Sequence, residues 1–357
     1  MTLRSSPRAL DPRPRDNAED DPRFAAAPPV ETSARLNVSI INYRTAETTR
    51  RCLDALMAAA HPDAAVTIVD NASGDGSAEA ITDWIAAAPR SIPVALIRFP
   101  RNTGFSGGHN QGMAAQPGAR FHLILNSDAL VRPGALDALL AAAEANPKAG
   151  LIAPRLEWED GEIQTSAFRK HSPFSELIRG AVTGPVTTLL HRWDVPLPPP
   201  TDPKEVDWVS FACVLLRAEA LKDVGHMDEG YFLYFEDADY CHRLSQAGWE
   251  IAFAPEARIV HLRGGSAPVK SLAAARKRLP AYWYASRTRL LYRLHGHTGL
   301  LAANLLWHLG RGIAQLRRLF GKPVPQAVDG EWRDIWINFL DPLGDPRAPS
   351  PSTEDRP

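Results

Sequence analysis

Four short apolar runs separated by helical patterns constrain this chain more than any other feature. LNVSIIN, AVTIVDN, PVALIRF and FHLILN each stop at polar residues. Between them stand AETTRRCLDALMAAA, with Leu53, Leu56 and Met57 on one side, then SAEAITDWIAAA with Ser77 as N-cap, and GGHNQGMAAQ; PGALDALLAAAEANP follows the fourth run. This alternation predicts βαβ units and an α/β fold with a mostly parallel sheet. Runs that are apolar throughout fit strands covered on both faces. Such sheets bind ligands at the carboxyl ends of their strands. Asn42-Tyr43-Arg44, Asp70-Asn71, Arg101-Asn102 and Asn126-Ser127-Asp128 end these runs, and are expected to converge on one edge.

Several function classes drop out. With 40 basic and 41 acidic residues in 357, net charge gives no reason to expect nucleic-acid binding. Three scattered cysteines, Cys52, Cys213 and Cys241, argue against a disulfide framework or a zinc cluster and suit a reducing compartment. No apolar h-region opens the chain and no run of 18 apolar residues occurs, so neither a signal peptide nor a spanning helix is expected. Between the first strand and helix there is no Walker A pattern and no GxGxxG. The glycine-rich NTGFSGGHNQG follows the third strand; its glycines either admit a ligand to the backbone or pack a helix on the sheet.

A second constellation lies in residues 231–266, YFLYFEDADYCHRLSQAGWEIAFAPEARIVHLRGGS. Asp228, Glu236, Asp237 and Asp239 cluster around an aromatic lead-in, and a lone His261 precedes Gly264-Gly265. Acids behind an apolar wall suit metal binding or proton abstraction; acids opening a helix also simply complement its dipole. Helical spacing places Glu236, Asp239, Tyr240 and Arg243 on one face and turns Asp237 about 100° away, so Asp239 is expected to pair with Arg243. The helix N-terminus would lower the pKa of Asp237 and the neighbouring Glu236 would raise it. For Asn126-Ser127-Asp128 both a divalent-ion site and an Asx turn stay open.

Taken together and in this order, VSIINYR, VDNASGDGS, NTGFSGGHNQG, LNSDALVRPGAL and YFLYFEDADYCHRLSQAGW closely resemble family 2 glycosyltransferases, in particular the bacterial rhamnosyltransferase-like group. The resemblance covers about residues 36–266. It implies a GT-A fold and inverting sugar transfer from a nucleotide-diphospho-sugar donor to a glycan or lipid-linked acceptor in surface polysaccharide synthesis, with dTDP-rhamnose as donor or else a UDP-hexose. It implies that Asp70 bonds the base beside Tyr43, and that Asn71, Asn102 and Asn126 line the nucleotide side. Asn126-Ser127-Asp128 stands in the place of the DxD motif with Asn for its first acid, leaving Asp128 and His261 as ligands of Mn²⁺ or Mg²⁺. Asp237, beside Glu236, matches the catalytic base. Where the pattern usually has a small residue this chain has Phe211; Trp208 and Phe211 are candidates for an acceptor floor or for core, and Arg263 for the diphosphate.

The expected organisation is a disordered leader (1–34), the glycosyltransferase domain (35–268) with an irregular insertion or lid at 171–204, a helical extension (269–340) and a disordered tail (341–357). The extension mixes Arg and Lys with Leu, Trp and Tyr; it would lie on an anionic membrane, placing a cytoplasmic enzyme on the inner face of the plasma membrane, or pack on the domain or on a second subunit as a homodimer. Two other classes compete: a nucleotide-sugar-binding scaffold without turnover, against which Asp128, Asp237 and His261 weigh, and a nucleotidyltransferase, whose basic Gly-rich loop INYRTAETT does not provide.

Overall fold

The computed structural model describes residues 34–87, 91–199, 201–263 and 269–349. The expected leader up to residue 33, Gly264-Gly265-Ser266 and the tail from residue 350 lie outside the described residues. In chain order come β1 (Leu36–Asn42), α1 (Ala46–Ala58), β2 (Ala64–Asp70), α2 (Ser77–Ala87), β3 (Val94–Arg98), α3 (Gly104–Ala114), β4 (Phe121–Asn126), β5 (Ala129–Val131), α4 (Ala135–Ala145) and β6 (Ala149–Glu157). There follow β7 (Ala167–Phe168), α5 (Pro173–Ala181), α6 (Gly184–Leu189), β8 (Pro196–Leu197), β9 (Trp208–Val209), β10 (Cys213–Arg217), α7 (Ala218–Val224), α8 (Glu236–Gln246) and β11 (Glu250–His261). The chain closes with α9 (Val269–Ala274), α10 (Ala281–Gln315, broken at Gly296) and α11 (Glu331–Asp334).

Eight strands form one sheet in the order β3-β2-β1-β4-β10-β6-β11-β5. The first four run parallel, as the alternation predicts, and β6 and β11 are parallel too. β10 runs antiparallel between β4 and β6, and the short β5 antiparallel beside β11. Leu53, Leu56, Ile81, Trp84, Leu136 and Leu139 bury one face of the sheet, while Met113, Tyr240, Cys241 and Leu244 pack on the other. The polar interruptions in the strands face α3: Asn37 Nδ2 donates to the Gly112 carbonyl (2.9 Å) and Ser39 Oγ meets His109 Nδ1 (2.9 Å). Such bonds offset the cost of burying polar groups in a sheet. A Cβ on Gly112 would stand 2.2 Å from Ser39 Oγ, so this glycine serves close helix–sheet packing.

The C-terminal helices pack on the protein along much of their length. Tyr282, Tyr284, Arg287, Leu290 and Leu291 of α10 are buried. α10 crosses α5 so closely that a Cβ on Gly180 would lie 2.3 Å from the Trp307 carbonyl, and one on Gly310 2.5 Å from the Leu177 carbonyl. The crossing is locked by charge: Glu176 takes hydrogen bonds from Arg179 and Arg287, and Arg179 also pairs with Glu331.

Two expectations change. Residues 171–204 are not irregular throughout: α5 opens on a reciprocal Ser172–Ser175 capping box with Pro173 in its first turn. Proline there costs the helix no bond, so the Pro and Gly punctuation concealed a helix whose partner is distant in sequence. Residues 341–349, expected to begin a disordered tail, are tied down: Arg289 donates to the Leu343 carbonyl (2.9 Å) and Asn338 to that of Asp345 (2.6 Å).

Candidate active site

Strand register builds the site. Asn42 pairs with Asp70 and Ile41 with Asn126, which sets the ends of β1, β2 and β4 in one row. Because β10 runs the other way, its entry, Ser210-Phe211-Ala212, meets the same edge, and Asn126 N–H donates to the Ala212 carbonyl (2.9 Å). A cavity of about 520 Å³ opens there, lined by Tyr43, Asn71, Asn102, Asn126, Asp128, Phe211, Glu236, Asp237 and His261 among others.

His261 reaches Asp128 through the β5–β11 pairing. It stands opposite Ala129, and the next N–H, of Leu262, donates to the Asp128 carbonyl (2.9 Å). The side chains meet with His261 Nε2 3.5 Å from Asp128 Oδ1. No group of three His, Cys, Asp or Glu that could hold a metal ion converges among the described residues. A facing carboxylate and imidazole fit a divalent ion that completes its shell with a ligand's phosphate oxygens and water, as such ions commonly do.

The four acids of the second constellation separate into two kinds. Asp228 pairs with Arg289 (3.1 Å) and Arg293, and Asp239 with Arg243 (2.9 Å) as its spacing predicts. Glu236 and Asp237 have no cationic partner among the described residues, and Glu236 Oε2 is buried without a hydrogen bond. Burial pushes Asp237 up to about 7, against the pull of the Ala238 and Phe211 N–H groups. Glu236 is held well above the carboxylate range by burial and then by Asp237. The sequence leaves open whether the helix dipole or the neighbouring acid governs Asp237. The largest cause of its shift is desolvation.

Local backbone aims these acids. Tyr234 and Phe235 both adopt left-handed φ (72° and 70°), unfavourable for non-glycine residues by about 1–2 kcal/mol each. The loop is clamped from α3: Phe105 N–H donates to the Phe232 carbonyl (2.8 Å). Gly104, at φ 72°, stands where a Cβ would lie 2.1 Å from that same oxygen. Strain held by surrounding contacts in this way is a mark of functional loops.

The expected residues are not all in the cavity. Asp70, expected to meet a base, turns instead to Asn42 Nδ2 (2.7 Å) and Ser73 Oγ (2.6 Å) and is not on the cavity wall. Both of these bonds go to Oδ1, while Oδ2 accepts from the Ser73 N–H (3.2 Å). Arg263 is likewise diverted, donating to Gln164 Oε1 (2.6 Å) and the Thr165 carbonyl (3.1 Å). Trp208 lines a separate cavity beyond α8 and stacks on Phe168, ring centroids 4.1 Å apart. Phe211 is buried against Tyr240 yet still borders the site.

Other wall residues escaped sequence reading. Lys270 is the cation that does line the cavity; burial, then Arg263, lowers its pKa, with Asp128 opposing. Tyr282 reaches the same wall from the C-terminal extension, and Pro349 from the segment after it. His109 is fully buried, its Nε2 lacks a partner among the described residues, and burial drives its pKa to about 3. Only its place in the glycine-rich motif could have flagged it.

Comparison with known proteins agrees with this architecture. The family described as "Glycosyltransferase like family 2" matches residues 34–285. An N-acetylglucosaminyl-diphospho-decaprenol L-rhamnosyltransferase of Mycobacterium tuberculosis is 32% identical over 303 residues, covering 79% of this chain and 91% of that one. Among solved structures, Staphylococcus aureus TarS 1–349 with UDP-GlcNAc superposes with a TM-score of 0.51 at 14% identity, over 87% of this chain and 82% of that one. The Pyrobaculum calidifontis mannosyltransferase PcManGT, with GDP-Man and Mn²⁺, gives 0.50 at 14% identity, over 84% and 79%. The sheet, the strand-end cavity and these likenesses agree: the chain belongs to glycosyltransferase family 2, has the GT-A fold and is an enzyme of the glycosyltransferase type.

Proposed function

We propose that the enzyme transfers a rhamnosyl group from dTDP-rhamnose to a hydroxyl of a lipid-linked glycan, by one inverting displacement. The observation that carries the chemistry is the Glu236–Asp237 pair, desolvated and unpaired among the described residues on the wall of a cavity that also holds Asp128 and His261. The donor and acceptor classes rest on the likeness to the rhamnosyltransferase.

Asp237, ionising near neutral pH, takes the proton of the acceptor hydroxyl. The acceptor oxygen then bonds to the anomeric carbon from the side opposite the diphosphate. The carbon–oxygen bond to the diphosphate breaks, and its electron pair leaves with that group. Glu236 is raised by burial and then by Asp237, so the adjacent carboxyls lose their protons in two steps that belong to the pair. Asp128 and His261 would hold Mn²⁺ or Mg²⁺, which supplies positive charge at the diphosphate. Lys270 adds a protein cation on the same wall. Tyr43, Asn71, Asn102 and Asn126 contact the nucleotide, while Asp70 braces the loop after β2 from behind. The three buried free thiols suit a cytoplasmic enzyme, working at the inner face of the plasma membrane where the acceptor would be anchored.

A thermal-shift panel of dTDP-, UDP- and GDP-sugars with and without Mn²⁺ tests this reading. A ligand at about 100 times its Kd stabilises the native state by about 2.7 kcal/mol, so dTDP-rhamnose should raise the unfolding temperature by a few degrees, more with Mn²⁺. Asp128→Ala should erase the metal-dependent part. A shift with UDP-hexoses alone would replace the donor. No shift with any sugar nucleotide would leave a binding scaffold or a donor site completed by acceptor.

A further inference from the structure

Beyond its break at Gly296, α10 has two apolar faces. Leu300, Ala303, Trp307 and Ala314 are buried against the protein. On the outside, Leu301 is 41% exposed, Leu305 and Leu309 53% each, and Leu316 and Leu319 in the following turn 53% and 78%. These five positions follow one helical stripe, with Gly312 between them. Single exposed leucines are ordinary; a continuous stripe marks a surface that meets something.

The charge around the stripe says what. From residue 257 to 328 there is no Asp or Glu and there are 13 Lys or Arg. Arg258, Arg278, Arg287, Arg289 and Arg293 pair with acids from other parts of the fold, while Arg311, Arg317, Arg318 and Lys322 lie beside the stripe. Arg311, Gln315, Arg318 and Lys322 run along one edge of the stripe and, with Arg276, line a separate cavity of about 650 Å³ whose one acid is Asp329. Arg311 and Arg317 direct their guanidinium groups to the carbonyls of Gly180, Pro325 and Pro323. The margins of a leucine seam between two helices commonly carry opposite charges; the edge formed by Arg311, Arg318 and Lys322 carries cations.

We propose that the second half of α10 and the turn after it form a docking face for an anionic bilayer. The leucine stripe enters the headgroup–acyl boundary, and the Arg276–Arg311–Arg318–Lys322 cavity receives a lipid phosphate. No helix among the described residues is long and apolar enough to cross a membrane, so this contact would be peripheral. It stands independently of the sugar and the acceptor.

The test is flotation of the full chain with vesicles of phosphatidylcholine alone, or mixed with phosphatidylglycerol, without donor or acceptor. Binding is expected to the anionic vesicles only, and to fall with salt. Two doubly substituted proteins, Leu305→Ser with Leu309→Ser and Arg318→Glu with Lys322→Glu, should each lower the bound fraction about tenfold, with thermal unfolding and nucleotide-sugar binding unchanged. Equal binding to both vesicles, or to neither, would overturn the proposal. So would a dimer in solution that the leucine substitutions convert to monomer, since a second copy would then cover the stripe.

Discussion

Two buried carboxylate sites in this molecule have opposite electrostatic settings. Glu176, on α5, sits between Arg179 and Arg287, and their charges hold it down at about 2 although burial pushes the other way. Glu236 and Asp237, on α8, meet no cation among the described residues, and burial drives both upward. Depth alone therefore does not determine the protonation state; the partner does. The first site joins the C-terminal extension to the domain. The second keeps a carboxyl reactive near neutral pH, a condition that costs the fold stability.

The sharpest way to break this contrast is to remove the base. Asp237→Asn should lower transfer by about 10²–10⁴-fold while leaving the donor dissociation constant within a factor of two or so. Calorimetric donor binding beside steady-state kinetics would check it, and normal turnover would remove Asp237 from the role. Glu176→Gln is the counterpart: it strands Arg179 and Arg287 in the interior and should cost about 3–5 kcal/mol in urea unfolding. Its effect on turnover should follow only from the folded fraction.

A smaller effect distinguishes the two sites by pH. The depressed pKa of Glu176 contributes stability above its unfolded value of 4.5, and loses it as pH falls towards about 2. For Asp237, raised from 3.8 to about 7, the sign reverses. Its contribution is complete below 3.8 and is lost as pH rises through 7. Without metal or donor, Asp237→Asn should thus gain stability relative to the parent above pH 7, and the deficit of Glu176→Gln should shrink in acid. Equal pH dependence of the two variants would show that the sites do not differ as described. Turnover of the parent should rise through about pH 7 as the base ionises.

Much of this was legible in the chain. The parallel half of the sheet followed from runs too apolar for a one-sided strand, and its polar strand ends pointed to the cavity because α/β sheets bind ligands there. The Asp239–Arg243 pair followed from helical spacing. Other assignments needed neighbours that lie far off in sequence. Asp70 and Arg263 carry suitable chemistry at suitable positions, yet Ser73 and Asn42 occupy the one, and Gln164 and Thr165 the other. Lys270 reads as one more cation in a basic segment until packing places it on the site wall.

The sequence by itself determined the parallel α/β half and the set of groups available for chemistry, because these depend on local periodicity and residue type; its motifs, in their order, carried the resemblance that implied the family and the GT-A fold. Tertiary structure alone decided how each group is charged and where the C-terminal extension goes. The paired acids Asp228 and Asp239 and the acids without a cationic partner among the described residues, Glu236 and Asp237, come from one short stretch; Asp239 is paired locally with Arg243, and Asp228 with the distant Arg289. The hydrophobic pattern of α10 likewise shows two apolar faces; only the crossing with α5, tight enough to require Gly180 and Gly310, selects which one is buried and which is left for a partner.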